Sequence, residues 1–160
     1  MTRRFKDDPA RAELLALYKE VDALQGGFTC DLSQECCSFG EREPYPTTVE
    51  LAEVWEAVRA MGGLPKKRTG RGRLPLLGDE LRCPLLGPDG RCRIYASRPF
   101  GCRTFFCERV QGPGKLPRKE VQVLGQRVAQ LSARVFRRDP RPRSFLAALD
   151  AGEGALEKCR

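Results

Sequence analysis

Eight cysteines in a chain of 160 residues are the side chains best able to do chemistry here. Cys30, Cys36 and Cys37 fall in FTCDLSQECCSFG, Cys83, Cys92, Cys102 and Cys107 fall in one later stretch, and Cys159 stands apart near the end. Thiolates carried on tight turns suit a soft or borderline metal, because several sulfurs must converge within about 2.3 Å of one ion. The spacings C-x5-CC, C-x8-C, C-x9-C and C-x4-C match neither a paired C-x2-C zinc ribbon nor a ferredoxin run. Spacing therefore supports a metal without naming it. It also leaves open which of the seven clustered cysteines ligate. Adjacent side chains project differently, so Cys36 and Cys37 are not expected to serve the same ion. Cys159 reads as a small buried hydrophobe.

Composition narrows the chemistry further. Histidine is absent, which removes imidazole ligands, histidine bases and every triad that uses one. No phosphate-binding loop, dinucleotide glycine fingerprint or nucleophile elbow is present. The opening MTRRFKDDPARAELLALYKEV mixes both charge signs and has no apolar run suited to a signal peptide or a membrane span. A cytoplasmic protein with no membrane partner is the expectation. In that reducing compartment, clustered thiols favour metal binding over a disulfide framework.

Beyond the spacing, the residues Cys30, Cys36, Cys37, Cys83, Pro84, Leu86, Cys92, Ile94, Tyr95, Arg98, Pro99, Cys102 and Arg103 resemble the pattern of the YkgJ-type cysteine-cluster family. Its members are described as having a zinc- or iron-chelating domain. That pattern opens C-x2-C-x2-CC, continues with Cys-Pro-aromatic-Leu, and closes with Cys-x-Ile-Tyr, Arg-Pro and Cys-Arg. TTVELAEVWEAV resembles the helix that the family places between the two halves, so the likeness covers roughly residues 28–107. One departure stands out, since the second cysteine of the opening motif is Ser33 here, and Cys107 is a possible substitute. The resemblance implies metal ligands at Cys30, Cys36, Cys37, Cys83, Cys92 and Cys102, and the clustering adds Cys107 as a further candidate ligand. The resemblance also implies zinc or an iron-sulfur cluster, and no particular reaction. A related motif in flagellin lysine methylases, for which a cluster has been proposed, favours 4Fe-4S by analogy.

Four thiolates leave either Zn2+ or an oxidised 4Fe-4S cluster with a net charge of minus two, and such a centre attracts hydrogen-bond donors. Arg98 and Arg103 sit beside the last ligands and are candidate cofactor-binding groups, with the capping of backbone carbonyls as the alternative for Arg98. Glu35 or Asp31 would be the base if the metal kept an open position for water. That metalloenzyme reading is one alternative. Another is nucleic-acid binding, because residues 1–61 carry 7 basic and 12 acidic side chains whereas residues 62–143 carry 20 basic and 6 acidic ones. Lys66, Lys67, Arg68, Arg71 and Arg73 form a basic loop, and Arg127, Arg134 and Arg138 stripe a helix. A solvated surface balancing the acidic first part is the favoured account of these charges.

The elements that must position the cysteines follow from pattern. Asp8-Pro9 reads as an N-cap and first helical residue, and Leu14, Leu15, Tyr18, Val21 and Leu24 recur at helical spacing up to Gly26-Gly27. Thr47 and Glu50 have capping-box spacing before Leu51, Val54, Trp55 and Val58, and this helix is expected to pack on the first. A third helix is expected over about 117–137. Gly87-Pro88-Asp89-Gly90 has turn chemistry and predicts a short hairpin. The expected fold is mostly α with irregular cysteine-rich loops, a small single domain of helices around a metal-binding knot. Residues 1–143 form that domain, the cysteine core spans 28–107, and 144–160 is a short tail holding at best a brief, fraying helix.

Overall fold

Asp8 and Pro9 start the first helix as their types require: the Asp8 carboxylate accepts the Ala10 N–H at 3.0 Å, and Pro9 fills the first helical position. In the computed structural model, which describes residues 4–26, 37–39, 43–65, 82–104 and 116–160, the helices are α1 (Pro9–Leu24), α2 (Thr48–Ala60), α3 (Phe100–Thr104), α4 (Arg118–Val135) and α5 (Phe145–Ala151). Further 3-10 turns span Phe5–Asp7, Tyr95–Ser97 and Glu153–Cys159. The described residues form a small, mostly helical single domain with no strand. None of its helices is long and apolar enough to cross a membrane. Cys30, Cys36, Cys107 and the basic loop Lys66 to Arg73 lie outside the described residues.

The second helix organises the rest. Thr48, Val49, Glu50, Leu51, Ala52, Glu53, Val54, Trp55 and Val58 are all buried, so α2 is covered on every side over residues 48–55 and reaches solvent only in its last turn. Val49 and Ala52 join one core with Leu14, Leu17, Tyr18 and Val21 of α1 and Leu124, Val128 and Leu131 of α4. Leu51, Val54, Trp55 and Val58 join a second core with Phe39, Cys83, Leu85, Ile94, Phe145 and Leu149. The cysteine-bearing backbone belongs to this second core. The packing of α2 on α1 expected from the sequence is present in the first core, and α1 packs still more extensively on α4. Charge complementarity accompanies the α1–α4 packing, because Arg127 pairs with Glu20 at 2.6 Å and Arg134 with Glu13 at 2.5 Å. Helix α4 also carries Gly125, and a Cβ there would stand 3.4 Å from the Phe100 ring.

Two expectations change in the structure. The hairpin reduces to a turn: Gly87 N–H donates to Arg91 O at 2.7 Å, Gly90 adopts φ 77°, and Leu86 and Cys92 form an isolated antiparallel bridge. No ladder extends it, because Arg93 N–H to Leu85 O at 2.9 Å is followed at once by the 3-10 turn at Tyr95. The tail is the second change. Phe145 and Leu149 are buried in the second core and Cys159 in the first. Ser144 Oγ caps α5 by accepting the Ala147 N–H at 3.1 Å, while Glu43 accepts from Ser144 Oγ at 2.6 Å and from Leu146 N–H at 2.7 Å. Arg143 N–H and Phe145 N–H donate to the carbonyls of Pro46 and Pro44 at 3.2 and 3.3 Å. Docking on residues 43–46 therefore supplies the order that a short isolated helix lacks.

Phe145 stacks at a tilt on Phe39, with ring centroids 6.1 Å apart. Phe145→Ala is expected to cost about 3–5 kcal/mol in chemical denaturation. A frayed tail would instead leave stability within about 0.5 kcal/mol of the parent.

Candidate metal centre

Backbone hydrogen bonding brings separated cysteines into one region. Cys83 N–H donates to Cys37 O at 2.8 Å beside the Ser38–Arg82 bridge, which fixes these two residues on neighbouring chains. The Gly87–Gly90 turn then returns the chain so that Cys92 bridges Leu86. Cys102 is carried by α3. These four residues, Cys37, Cys83, Cys92 and Cys102, line a single cavity of about 40 Å3. Cys83 is buried and the other three are half-buried. Leu85, Ile94 and Phe145 make the wall apolar, Tyr95 and Pro99 complete one side, and Arg98 is the one charged side chain among the described lining residues. Among the described residues, no three Cys, Asp or Glu side chains are gathered tightly enough to hold a metal ion.

The position of α3 depends on two carboxylates of α2. Glu50 is buried and accepts four hydrogen bonds: from Thr47 N–H and Thr47 Oγ1, each at 2.8 Å, from Phe100 N–H at 2.6 Å and from Tyr18 O–H at 3.4 Å. One carboxylate thus joins the start of α2, the start of α3 and the middle of α1. Glu53 is fully buried and accepts from Arg11 at 2.6 and 3.1 Å and from Ser97 Oγ at 2.8 Å. The capping-box pattern accounts for Glu50 at the start of α2 and leaves the bonds of both carboxylates to other elements unaccounted for. Their signal was present, since carboxylates at i and i+3 amid an apolar helix must find partners if that helix is buried.

The two arginines singled out from the sequence diverge. Arg103 is buried and faces α1: it donates to Asp22 at 2.6 Å, to Arg98 O at 2.9 Å and to Ala96 O, and its guanidinium covers the Tyr18 ring at 4.0 Å. It is not among the cavity residues. The carbonyl-capping role considered for Arg98 is carried by Arg103. Arg98 lines the cavity, lies over Tyr95 at 3.9 Å, and keeps a buried Nε with no hydrogen-bond partner among the described residues. Trp55 Nε1, in the same cysteine-bearing core, is likewise buried without a described partner. Cys159 lies in the other core, donating to Ala155 O at 3.5 Å and accepting from Arg143 at 3.6 Å. Arg127 and Arg134 of the expected basic stripe are ion-paired with α1.

The model of the CxxCxxCC family, described as "Putative zinc- or iron-chelating domain", matches residues 29–122. The chain belongs to this cysteine-cluster family. No curated protein and no solved structure matches it. The family match takes in the seven clustered cysteines, α2 and the first residues of α4, and leaves Cys159 outside. That division agrees with the geometry, in which Cys159 serves the other core. Metal binding in the cysteine-cluster family is the general chemistry with which the four-cysteine cavity agrees.

Burial raises the Glu50 carboxyl above the ordinary carboxylate range, and the hydrogen bonds from Thr47, Phe100 and Tyr18 oppose that rise. A carboxyl whose folded pKa exceeds its unfolded value contributes stability that is fully present below the unfolded value and is lost as pH rises through the folded one. Glu50→Gln is therefore expected to flatten the decline in stability as pH rises above the usual glutamate range. Denaturation midpoints measured across pH check this, and parallel curves for parent and variant would contradict it.

Proposed function

We propose that this protein is a cysteine-cluster metalloprotein whose centre is held by Cys37, Cys83, Cys92 and Cys102 and has a structural, redox or accessory role. The observation that carries the reading is the sharing of one apolar-walled cavity by four cysteines that are distant in sequence. Thiolates are the right donors for zinc, iron and iron-sulfur clusters, and a chain without histidine has no imidazole to offer in their place. Of the two cofactors, an iron-sulfur cluster of the 4Fe-4S type is the preferred one. A cluster spreads its thiolates over several irons, whereas one tetrahedral ion draws four sulfurs into its own first shell. The related motif of flagellin lysine methylases, for which a cluster has been proposed, favours the cluster by analogy. When bound, the centre would supply cross-linking of the irregular loops and, for a cluster, one-electron chemistry. Cys30, Cys36 and Cys107 remain candidate ligands or exchange thiols from the sequence.

The protein's own residues would order and shield such a centre. Leu85, Ile94 and Phe145 limit water at the sulfurs, while Glu50 and Glu53 hold the loop and helix that carry Cys102. A reducing cytoplasm would keep these thiols available to metal. Metal binding would also supply part of the folding free energy, so chelation is expected to loosen residues 28–107.

The test is elemental analysis and absorption spectroscopy on protein purified without oxygen, repeated for Cys92→Ser, Cys102→Ser and Cys159→Ser. Iron with sulfide and a broad band near roughly 400 nm should be present in the parent and Cys159→Ser and lost in the other two. Stoichiometric zinc without colour would replace the cluster by a zinc site. Full metal content in Cys92→Ser and Cys102→Ser would overturn the ligand assignment.

A further inference from the structure

Arg98 carries a structural feature that the proposed ligand set leaves unexplained. Its backbone is extended, φ −62° and ψ 142°, as a residue preceding proline prefers. This sends the side chain along the cavity wall, where only 13% of it stays exposed. The guanidinium is set by stacking over Tyr95 at 3.9 Å. Its ion-pair partner among the described residues, Asp22, is 3.9 Å from Nη2 and is held more closely by Arg103 at 2.6 Å. The Nε–H is buried and has no partner among the described residues. An unmatched buried donor is costly unless the functional state supplies its acceptor.

The cavity contains a suitable acceptor class. Arg98 is its one charged described residue, and the four cysteines share the wall. Four thiolates around a zinc ion or an oxidised 4Fe-4S cluster leave net negative charge on sulfur. We propose that Arg98 is a positioning residue whose Nε–H donates a hydrogen bond to sulfur of the metal-thiolate centre, strengthening its hold on metal and lowering the electron-donating power of that sulfur. This rests on the ligand reading above and adds a role for a side chain that is not itself a ligand. Arg103, five residues on, commits its Nε–H to Arg98 O, donates also to Asp22 and Ala96 O, and is not among the described residues that line the cavity.

Cobalt(II) added to the metal-free full chain is the probe, because its sulfur-to-metal charge-transfer band reports thiolate bonding directly. Arg98→Lys keeps the charge without an Nε–H, and Arg98→Met removes both. Both variants are expected to hold cobalt about ten- to a hundredfold more weakly in chelator competition. Their charge-transfer bands should move to lower energy, while the thermal midpoint of the metal-free protein stays at the parent value. Unchanged affinity and band position would overturn the assignment. So would full retention by Arg98→Lys, which would make charge alone responsible. Weaker binding with an unshifted band and an equally destabilised metal-free protein would also overturn it, by showing a purely structural role. Failure of the parent to show any cobalt-thiolate band would overturn this inference, and iron with sulfide found in the protein as isolated would show that the metal reading itself stands.

Discussion

Glu50 is the point on which the architecture turns. A carboxylate in the middle of a protein is costly unless its oxygens are matched, and here hydrogen bonds arrive from three elements at once, the start of α2, the start of α3 and Tyr18 of α1. The same arrangement suits α2 to burial on all sides over residues 48–55, because its polar groups are satisfied by the parts it must hold. Glu53, one turn farther along, repeats the device with Arg11 and Ser97. These carboxylates decide where the segment carrying Tyr95, Arg98 and Cys102 lies relative to the rest of the molecule.

Around that pillar the protein divides its labour between two cores. The first is ordinary helix packing, in which α1 and α4 enclose Val49 and Ala52 and are flanked by exposed ion pairs at Glu20 and Glu13. Such pairs add little stability individually. They do engage Arg127 and Arg134, and Arg138, the third cation of the stripe expected on this helix, lies beyond its end at Val135. The second core is irregular, and its cysteines come together through backbone bonds between Cys83 and Cys37 and a turn that returns Cys92 toward Leu86. Loops of this kind have little secondary structure to stabilise them. Phe145, from the far end of the chain, helps close their cavity.

Much of this was legible in the sequence where physics is local. Asp8-Pro9, the Thr47 and Glu50 pairing, and the regular apolar spacing over 121–135 mark three helices because caps and periodicity act within a few residues. Of the seven cysteines that the sequence singles out, the four described ones, Cys37, Cys83, Cys92 and Cys102, line one cavity. What the sequence withheld depends on distant partners. Whether Arg98 or Arg103 faces the cysteines is decided by Asp22 and Tyr18 on α1. The order of the tail is decided by Glu43, Pro44 and Pro46. The α1–α4 pairing comes from complementary faces whose ion pairs join side chains 107 and 121 positions apart in the chain, which no local window compares.

The most direct test of the central claim is X-ray absorption at the metal edge of the protein as isolated without oxygen. The account predicts a first shell dominated by sulfur at about 2.3 Å. A first shell made of oxygen and nitrogen would contradict it, because the cysteine cavity would then not be where the metal is held.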